Sequence, residues 1–204
     1  NLHAERVHLL LTGMFNVYNA LAAASLAMIL GIDQQAIREG LESVVNVPGR
    51  VEMLDTKTPY KVILDYSHSP DALENILTTV RTFTRSRLIV LFGCGGDRDH
   101  GKRPIMGEMA GKYADFCIIT EDNSRGEPVE HILADIRAGL RLGNPATPFA
   151  EIPDRRQAIY YALDHAQPGD IIAILGKGHE TTIERGGIKE PFVEREIVEE
   201  YWGR

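Results

Sequence analysis

The chain has 204 residues, is 44% apolar and carries a formal net charge of −7. That is enough apolar material for one large domain, or a domain plus part of another. The acidic balance argues against binding nucleic acid or an anionic membrane as the main task. Met14 to Leu30 then has helical spacing, with Ala20, Ala23, Ala24 and Ala27 as a small-residue face and Gly31 at the C-cap position. A second helix is predicted over Gln34 to Val45, with Ile37, Leu41 and Val44 on one side. Asn46-Val47-Pro48-Gly49 breaks the pattern and marks a boundary or hinge.

Beyond that break the texture changes. Strand-like runs occur at Val51–Leu54, Lys61–Asp65, Arg87–Phe92, Asp115–Thr120 and Asp170–Leu175. Ser69-Pro70 starts a helix, the hydroxyl capping and the proline in the first turn, and Leu73, Ile76, Leu77 and Val80 keep its spacing. Another helix is expected at Pro104. Val129, Ile132, Leu133, Ile136 and Leu140 trace the next. Ile159, Ala162, Leu163 and Ala166 trace one more, capped by Asp154. Strands alternating with helices predict βαβ units, hence an α/β, Rossmann-like, mostly parallel sheet with helices on both faces. Residues 1–48 read as the helical edge of another domain and residues 49–204 as the α/β domain.

Cys94 and Cys117 match no zinc or redox spacing, so reduced thiols and a cytoplasmic location are expected. The apolar stretch from Ala20 to Leu30 is too short to span a bilayer, so no membrane association is expected. Asn1 stands where a methionine would, which suggests a fragment or a processed chain.

Ligands of open parallel sheets bind beyond the carboxyl ends of the strands. Here those ends carry unusual residues. Lys61–Asp65 runs into Asp65-Tyr66-Ser67-His68-Ser69-Pro70. Arg87–Phe92 runs into Gly93-Cys94-Gly95-Gly96-Asp97-Arg98-Asp99-His100-Gly101-Lys102-Arg103. Asp115–Thr120 runs into Glu121-Asp122-Asn123-Ser124-Arg125, and Asp170–Leu175 into Gly176-Lys177-Gly178-His179-Glu180. The second of these nearly spells a phosphate loop, but Arg103 stands where a Ser or Thr hydroxyl would hold magnesium, and Asp97 and Asp99 would repel a phosphate. It reads better as a loop that presents Arg98 to a mixed-charge ligand. Each motif has a local alternative. Asp65 and His68 could cap a helix, Asp97-Arg98-Asp99 could be a solvated tip, Asp122 to Arg125 could be a plain turn, and so could Gly176 to Gly178. Taken together, Arg98 and Arg125 could grip carboxylates while Asp122 and Glu180 hold an ammonium, which suits a zwitterionic amino acid. The histidines show no paired spacing, so no metal ligation by histidine is expected.

These motifs carry a resemblance. Phe15-Asn16-Val17-Tyr18-Asn19-Ala20-Leu21-Ala22, Pro48-Gly49-Arg50 and the four strand-end motifs, in this order over nearly the whole chain, resemble the Mur ligases, in particular their MurE branch. The resemblance implies a three-domain ligase, of which residues 1–48 would be the helical end of the central ATPase domain and residues 49–204 the C-terminal domain. It implies ATP and Mg2+, with the metal, the P-loop and a carbamylated lysine in the part not present here. ATP would phosphorylate the terminal carboxylate of UDP-N-acetylmuramoyl-dipeptide, and the amine of an incoming amino acid would attack the acyl phosphate. It further implies ATP contacts at Asn19, Arg50, Asp65 and His68, and an amino-acid pocket of Arg98, Asp122, Asn123, Arg125, Gly176 and Glu180.

The diaminopimelate-adding branch usually has Asp-Asn-Pro-Arg where this chain has Ser124 in place of the proline; Arg125 is kept, which favours meso-diaminopimelate over lysine. No catalytic side chain is assigned, so the domain's task would be orientation of the amine. A monomer is expected, closing about a hinge near Val47–Arg50 and inactive as a ligase by itself. Other readings are a lysine-adding enzyme, a related ligase such as a folylpolyglutamate or cyanophycin synthetase, and a non-catalytic module that binds an amino acid or nucleotide.

Overall fold

The computed structural model describes residues 6–203. The chain divides into two compact units, Asn1–Val47 and Pro48–Arg204.

In the first unit, α1 (Met14–Ile29) packs against α2 (Gln34–Ser43). Helix α1 ends where the glycine lies. Gly31 sits at φ +77°, its N–H donates to Met28 O, and Ile32 N–H reaches back to Ala27 O. This is the paired-bond ending that only a residue tolerant of the left-handed region makes easily. Asp33 caps α2 by accepting the Gln35 N–H at 2.9 Å.

The second unit is built on a six-stranded sheet. Its strands are β1 (Glu52–Leu54), β2 (Lys61–Asp65), β3 (Leu88–Phe92), β4 (Phe116–Ile119), β5 (Phe149–Glu151) and β6 (Ile171–Leu175), in the spatial order β1-β2-β6-β3-β4-β5. β1 is antiparallel to β2 and every other pairing is parallel. The central strands β3 and β6 are buried throughout, as continuous apolar runs covered on two faces must be.

Alternate residues serve opposite faces. Val90 and Phe92 of β3 join a core with Leu73 and Leu77 of α3 (Pro70–Arg81), Met106 of α4 (Lys102–Tyr113) and Ile132 of α5 (Val129–Gly143). Ile89 and Leu91 join the other core, with Ile159 of α6 (Arg155–His165) and Ile197 of α7 (Glu194–Trp202). A separate hairpin, β7 (Thr182–Arg185) and β8 (Ile188–Pro191), precedes α7.

The α/β, mostly parallel fold expected from the alternation is the one observed. α4 begins at Lys102, ahead of the predicted Pro104. β5, the β7–β8 hairpin and α7 have no counterpart in the prediction. Among the described residues no helix is long and apolar enough to cross a membrane.

Candidate functional site: a charged cleft at the carboxyl ends of the strands

The loops after β2, β3, β4 and β6 meet around one cavity of about 370 Å³. Glycines make the approach possible. A Cβ on Gly93 would lie 2.3 Å from the Thr120 carbonyl oxygen, and one on Gly96 would lie 1.9 Å from that of Ser124. The Gly96 N–H donates to Asn123 O at 2.9 Å, so the β3 and β4 loops are laced by backbone. Asp97 adds a side-chain tie, accepting the Gly126 N–H at 2.9 Å. Behind this pair lies Arg103, fully buried. It donates two parallel bonds to Glu127 at 2.8 and 2.6 Å and a third to Asp135 at 3.0 Å. The residue that spoiled the phosphate-loop pattern is thus an internal anchor. The Arg103 guanidinium holds the Glu127 carboxyl down to about 2.

The cleft walls carry both signs of charge. Arg125, at φ +52°, gives Nη1 to Gly96 O at 2.8 Å. Its Nε lies 3.8 Å from Glu184. Arg98 is exposed on the opposite loop and makes no hydrogen bond or ion pair among the described residues. Asp122 is buried; its Oδ1 accepts the Asn123 N–H at 2.5 Å, and its Oδ2 has no such partner. Gly176, at φ +116°, leaves room beside it, since a Cβ there would come within 2.8 Å of Asp122 Oδ2.

Glu180 is held by one oxygen. Its Oε2 accepts from Lys177 Nζ at 2.7 Å and Asn123 Nδ2 at 3.1 Å. Asn123 Oδ1 in turn accepts the Glu184 N–H at 2.9 Å and Lys177 Nζ at 3.2 Å. Lys177 is fully buried, so a cation sits inside the wall and balances Glu180 from behind.

The structure therefore brings His68, Arg98, Asp122, Asn123, Arg125, Gly176 and Glu180 around one cavity. Arg50 and Asp65, of the same unit, are not among its lining residues. Arg50 is exposed, with its guanidinium 4.7 Å from the centre of the Tyr66 ring. That ring also meets His68 edge-on at 4.7 Å and His179 at 5.0 Å. Asp65 is buried, and its carboxylate accepts the Val51 and Ser67 N–H groups at 2.8 Å each and the Ser67 hydroxyl. Asn19 belongs to α1 of the first unit, where its Nδ2 donates to Asn16 Oδ1 at 3.3 Å.

Sequence reasoning did not single out Lys177, Tyr66 or Lys102 for the site. Tyr66 and Lys102 line the cavity, and Lys102 Nζ donates to His68 O at 2.7 Å, joining the β2 and β3 loops. Burial of a lysine was the missing signal for Lys177, and burial is not written locally. Cys94 also lines the cavity, but burial pushes its thiol up to about 12, so it is no nucleophile. Among the described residues no three His, Cys, Asp or Glu side chains gather as a metal-holding group.

The sequence model described as "Mur ligase, glutamate ligase domain" matches residues 49–178. The chain belongs to the Mur ligase family. Among similar Mur ligases is the UDP-N-acetylmuramoyl-L-alanyl-D-glutamate–2,6-diaminopimelate ligase of Caldanaerobacter subterraneus. It is 49% identical over 196 residues, which cover 96% of this chain and 40% of that protein. A solved structure of a UDP-N-acetylmuramoyl-L-alanyl-D-glutamate–2,6-diaminopimelate ligase superposes with a TM-score of 0.73 at 38% identity, covering 97% of this chain and 40% of the other. A pseudomurein peptide ligase type C from Methanothermus fervidus gives 0.67 at 27% identity, over 98% of this chain and 38% of the other. The chain thus spans about 40% of the length of the curated relatives it matches.

Proposed function

We propose that this chain supplies the amino-acid pocket of an ATP-dependent ligase that adds meso-diaminopimelate to UDP-N-acetylmuramoyl-L-alanyl-D-glutamate in peptidoglycan synthesis. The observation that carries the reading is the set of charges along one cleft that find no partner among the described residues: Arg98, and one oxygen each on Asp122 and Glu180. A zwitterion with two ends answers that arrangement. Its ammonium goes to Asp122 and Glu180 and its carboxylate to Arg98 and Arg125, each able to make paired, charge-assisted bonds. Lysine brings no second carboxylate for the second guanidinium. The names of the relatives support the same substrate class.

In the reaction proposed, the γ-phosphoryl of ATP passes to the substrate's terminal carboxylate and ADP leaves. The neutral amine attacks the acyl carbon, the acyl C–O bond breaks and inorganic phosphate leaves with its electron pair, and the amine gives up a proton as the amide forms. The contribution of this chain is to bind the amino acid and orient its amine, which converts a bimolecular encounter into a positioned one. The Arg50–Tyr66–His68 surface offers a cation and two rings to a nucleotide. Mg2+ would be held by residues outside this chain and would supply charge neutralisation for the ATP phosphates. Dependence on ATP and on a UDP-linked acceptor supports a cytoplasmic site for the reaction.

Calorimetric titration of the chain with meso-diaminopimelate, L-lysine and ADP tests the reading. Diaminopimelate should bind measurably tighter than lysine. Equal affinity for both, or heat with neither, would sink it. The chain by itself should show no amino-acid-dependent ATP hydrolysis.

A further inference from the structure

Arg155 opens α6 and its side chain is fully buried. Its guanidinium donates in three directions: Nε to Glu194 Oε1 at 2.7 Å, Nη1 to the Glu121 carbonyl at 3.0 Å, and Nη2 to the Leu175 carbonyl at 2.8 Å. Its backbone N–H donates to Glu121 Oε1 at 3.1 Å. Glu121 directly precedes Asp122, and Leu175 directly precedes Gly176. Those are the first residues of two cleft walls.

The strands that deliver these walls are not neighbours. β3 lies between β4 and β6 in the sheet. Each is laddered to β3 and neither to the other, and near the cleft the Asp122 loop meets the Gly176–Glu180 loop through the Asn123 bonds to Glu180 and Lys177. Arg155 adds a tie at the roots of the two walls, bonded to both carbonyls.

The surroundings of Arg155 are costly for an arginine. Glu194, from α7, is also fully buried, and its Oε2 has no hydrogen-bond partner. Burial pushes the Glu194 carboxyl up, against the pull of Arg155. Glu121 is nearly buried and is matched by Arg185 of the hairpin at 2.8 and 2.5 Å. Apolar residues of equal volume would fill such a site at lower desolvation cost. What they would not do is donate to two separate strand ends.

We propose that Arg155 is a positioning residue whose guanidinium sets the spacing of the Asp122 and Gly176–Glu180 walls, and through it the fit of the ammonium end of the amino acid. The proposal rests on the pocket reading given above. Glu194 is its counter-charge and holds the guanidinium in line.

Arg155→Met combined with Glu194→Leu removes both buried charges together, so neither is left unpaired. In the whole chain, this double variant should remain folded, judged by thermal unfolding. It should lose about tenfold or more in meso-diaminopimelate affinity by calorimetry, and its Asp122 and Gly176 amides should exchange hydrogen faster. Unchanged affinity and unchanged exchange in the folded variant would overturn the proposal. If the double variant does not fold, Arg155→Lys decides on the same two readouts, because it keeps a charge opposite Glu194 without the planar fork that reaches both carbonyls.

A mutant cycle separates positioning from general support. The Arg155→Lys loss should shrink in an Asp122→Asn background and stay whole in an Arg98→Ala background. Equal losses in both backgrounds would reduce Arg155 to a structural part. If the unsubstituted chain takes up no diaminopimelate, the pocket reading fails. The exchange rates of Asp122 and Gly176 then still decide whether Arg155 sets the two walls.

Discussion

The two ends of the parallel sheet use the same residue types for opposite purposes. At the amino ends, carboxylates are saturated. Asp170, fully buried, accepts from Arg87 Nη2 at 2.5 Å, Ser86 Oγ at 3.0 Å and the Gln167 N–H at 2.8 Å. Asp115 takes a two-pronged pair from Arg81 at 2.6 and 2.8 Å, and the Leu88 N–H at 2.8 Å. Burial alone would raise the Asp170 carboxyl; the Arg87 bonds and backbone donors outweigh it and leave the group below its ordinary range. At the carboxyl ends, by contrast, among the described residues Arg98 is unpaired and Asp122 and Glu180 each keep a free oxygen. Folded chains pair their buried polar groups wherever they can. On the proposed function, the charges left over at the carboxyl rim are those an amino acid would complete, whereas Asp115 and Asp170 at the amino rim are already paired.

Substitutions at the two ends should therefore separate stability from binding. The largest effect is expected at the saturated end. Asp170→Ala should cost ~3 kcal/mol of unfolding free energy, since it strips several donors of their acceptor at a buried position. Denaturant titration measures that cost, and diaminopimelate affinity of the folded fraction should not change. At the open end, Arg125→Ala should weaken diaminopimelate binding by ~2 kcal/mol, about 30-fold, through loss of a charge-assisted pair. Part of that loss is structural, because Arg125 also holds Gly96 O. Arg98→Ala isolates the binding effect. Its side chain is exposed and unpaired, so affinity should fall about tenfold while the unfolding midpoint stays in place. A large loss of stability in Arg98→Ala, or a large loss of affinity in Asp170→Ala, would break the contrast.

The effect with the narrowest range concerns acid, since it is felt only below the ordinary carboxylate pKa. Arg103 holds the Glu127 carboxyl at about 2 instead of the ordinary 4.5. A lowered carboxyl stabilises the fold fully above the ordinary value, and that contribution drains away as pH falls from 4.5 towards 2. Glu127→Gln should flatten the stability profile over that window, read from unfolding midpoints at stepped pH. An unchanged slope would show that the Arg103–Glu127 anchor does not govern how the β3 and β4 loops respond to acid.

Much of the fold was legible where signals are local. Lys61–Asp65 reads as a strand and is one, residue for residue. Ser69, Asp154 and Gly31 stand at the helix ends that their chemistry favours. What escaped notice lacks a local signature. β5 has three residues, none fully buried. Every residue of β8 is exposed, so no alternation betrays it. Helix α7 shows only Glu194, Ile197 and Val198 to the interior, and one of those is an acid.

The site divides the same way. The glycine loops and charged strand ends were visible as composition, and seven of the named residues share the cavity. The arginines that hold the walls were not visible as such. In the sequence Arg103 and Arg155 are neighbours of Lys102 and Arg156, a pattern typical of solvated surface charge, yet both are fully buried.

Local patterning was sufficient to specify the strand and helix alternation, the parallel sheet, and the rim to which polar loops would be delivered. Side-chain period and turn chemistry act over a few residues. Packing alone decided which charges would be spent on the fold and which would be left open. The partners that spend them are remote in sequence: Arg155 meets Glu194 39 positions away, and Ser86 meets Asp170 84 positions away. A charge is free only when no distant neighbour has claimed it, and that is a property of the folded chain.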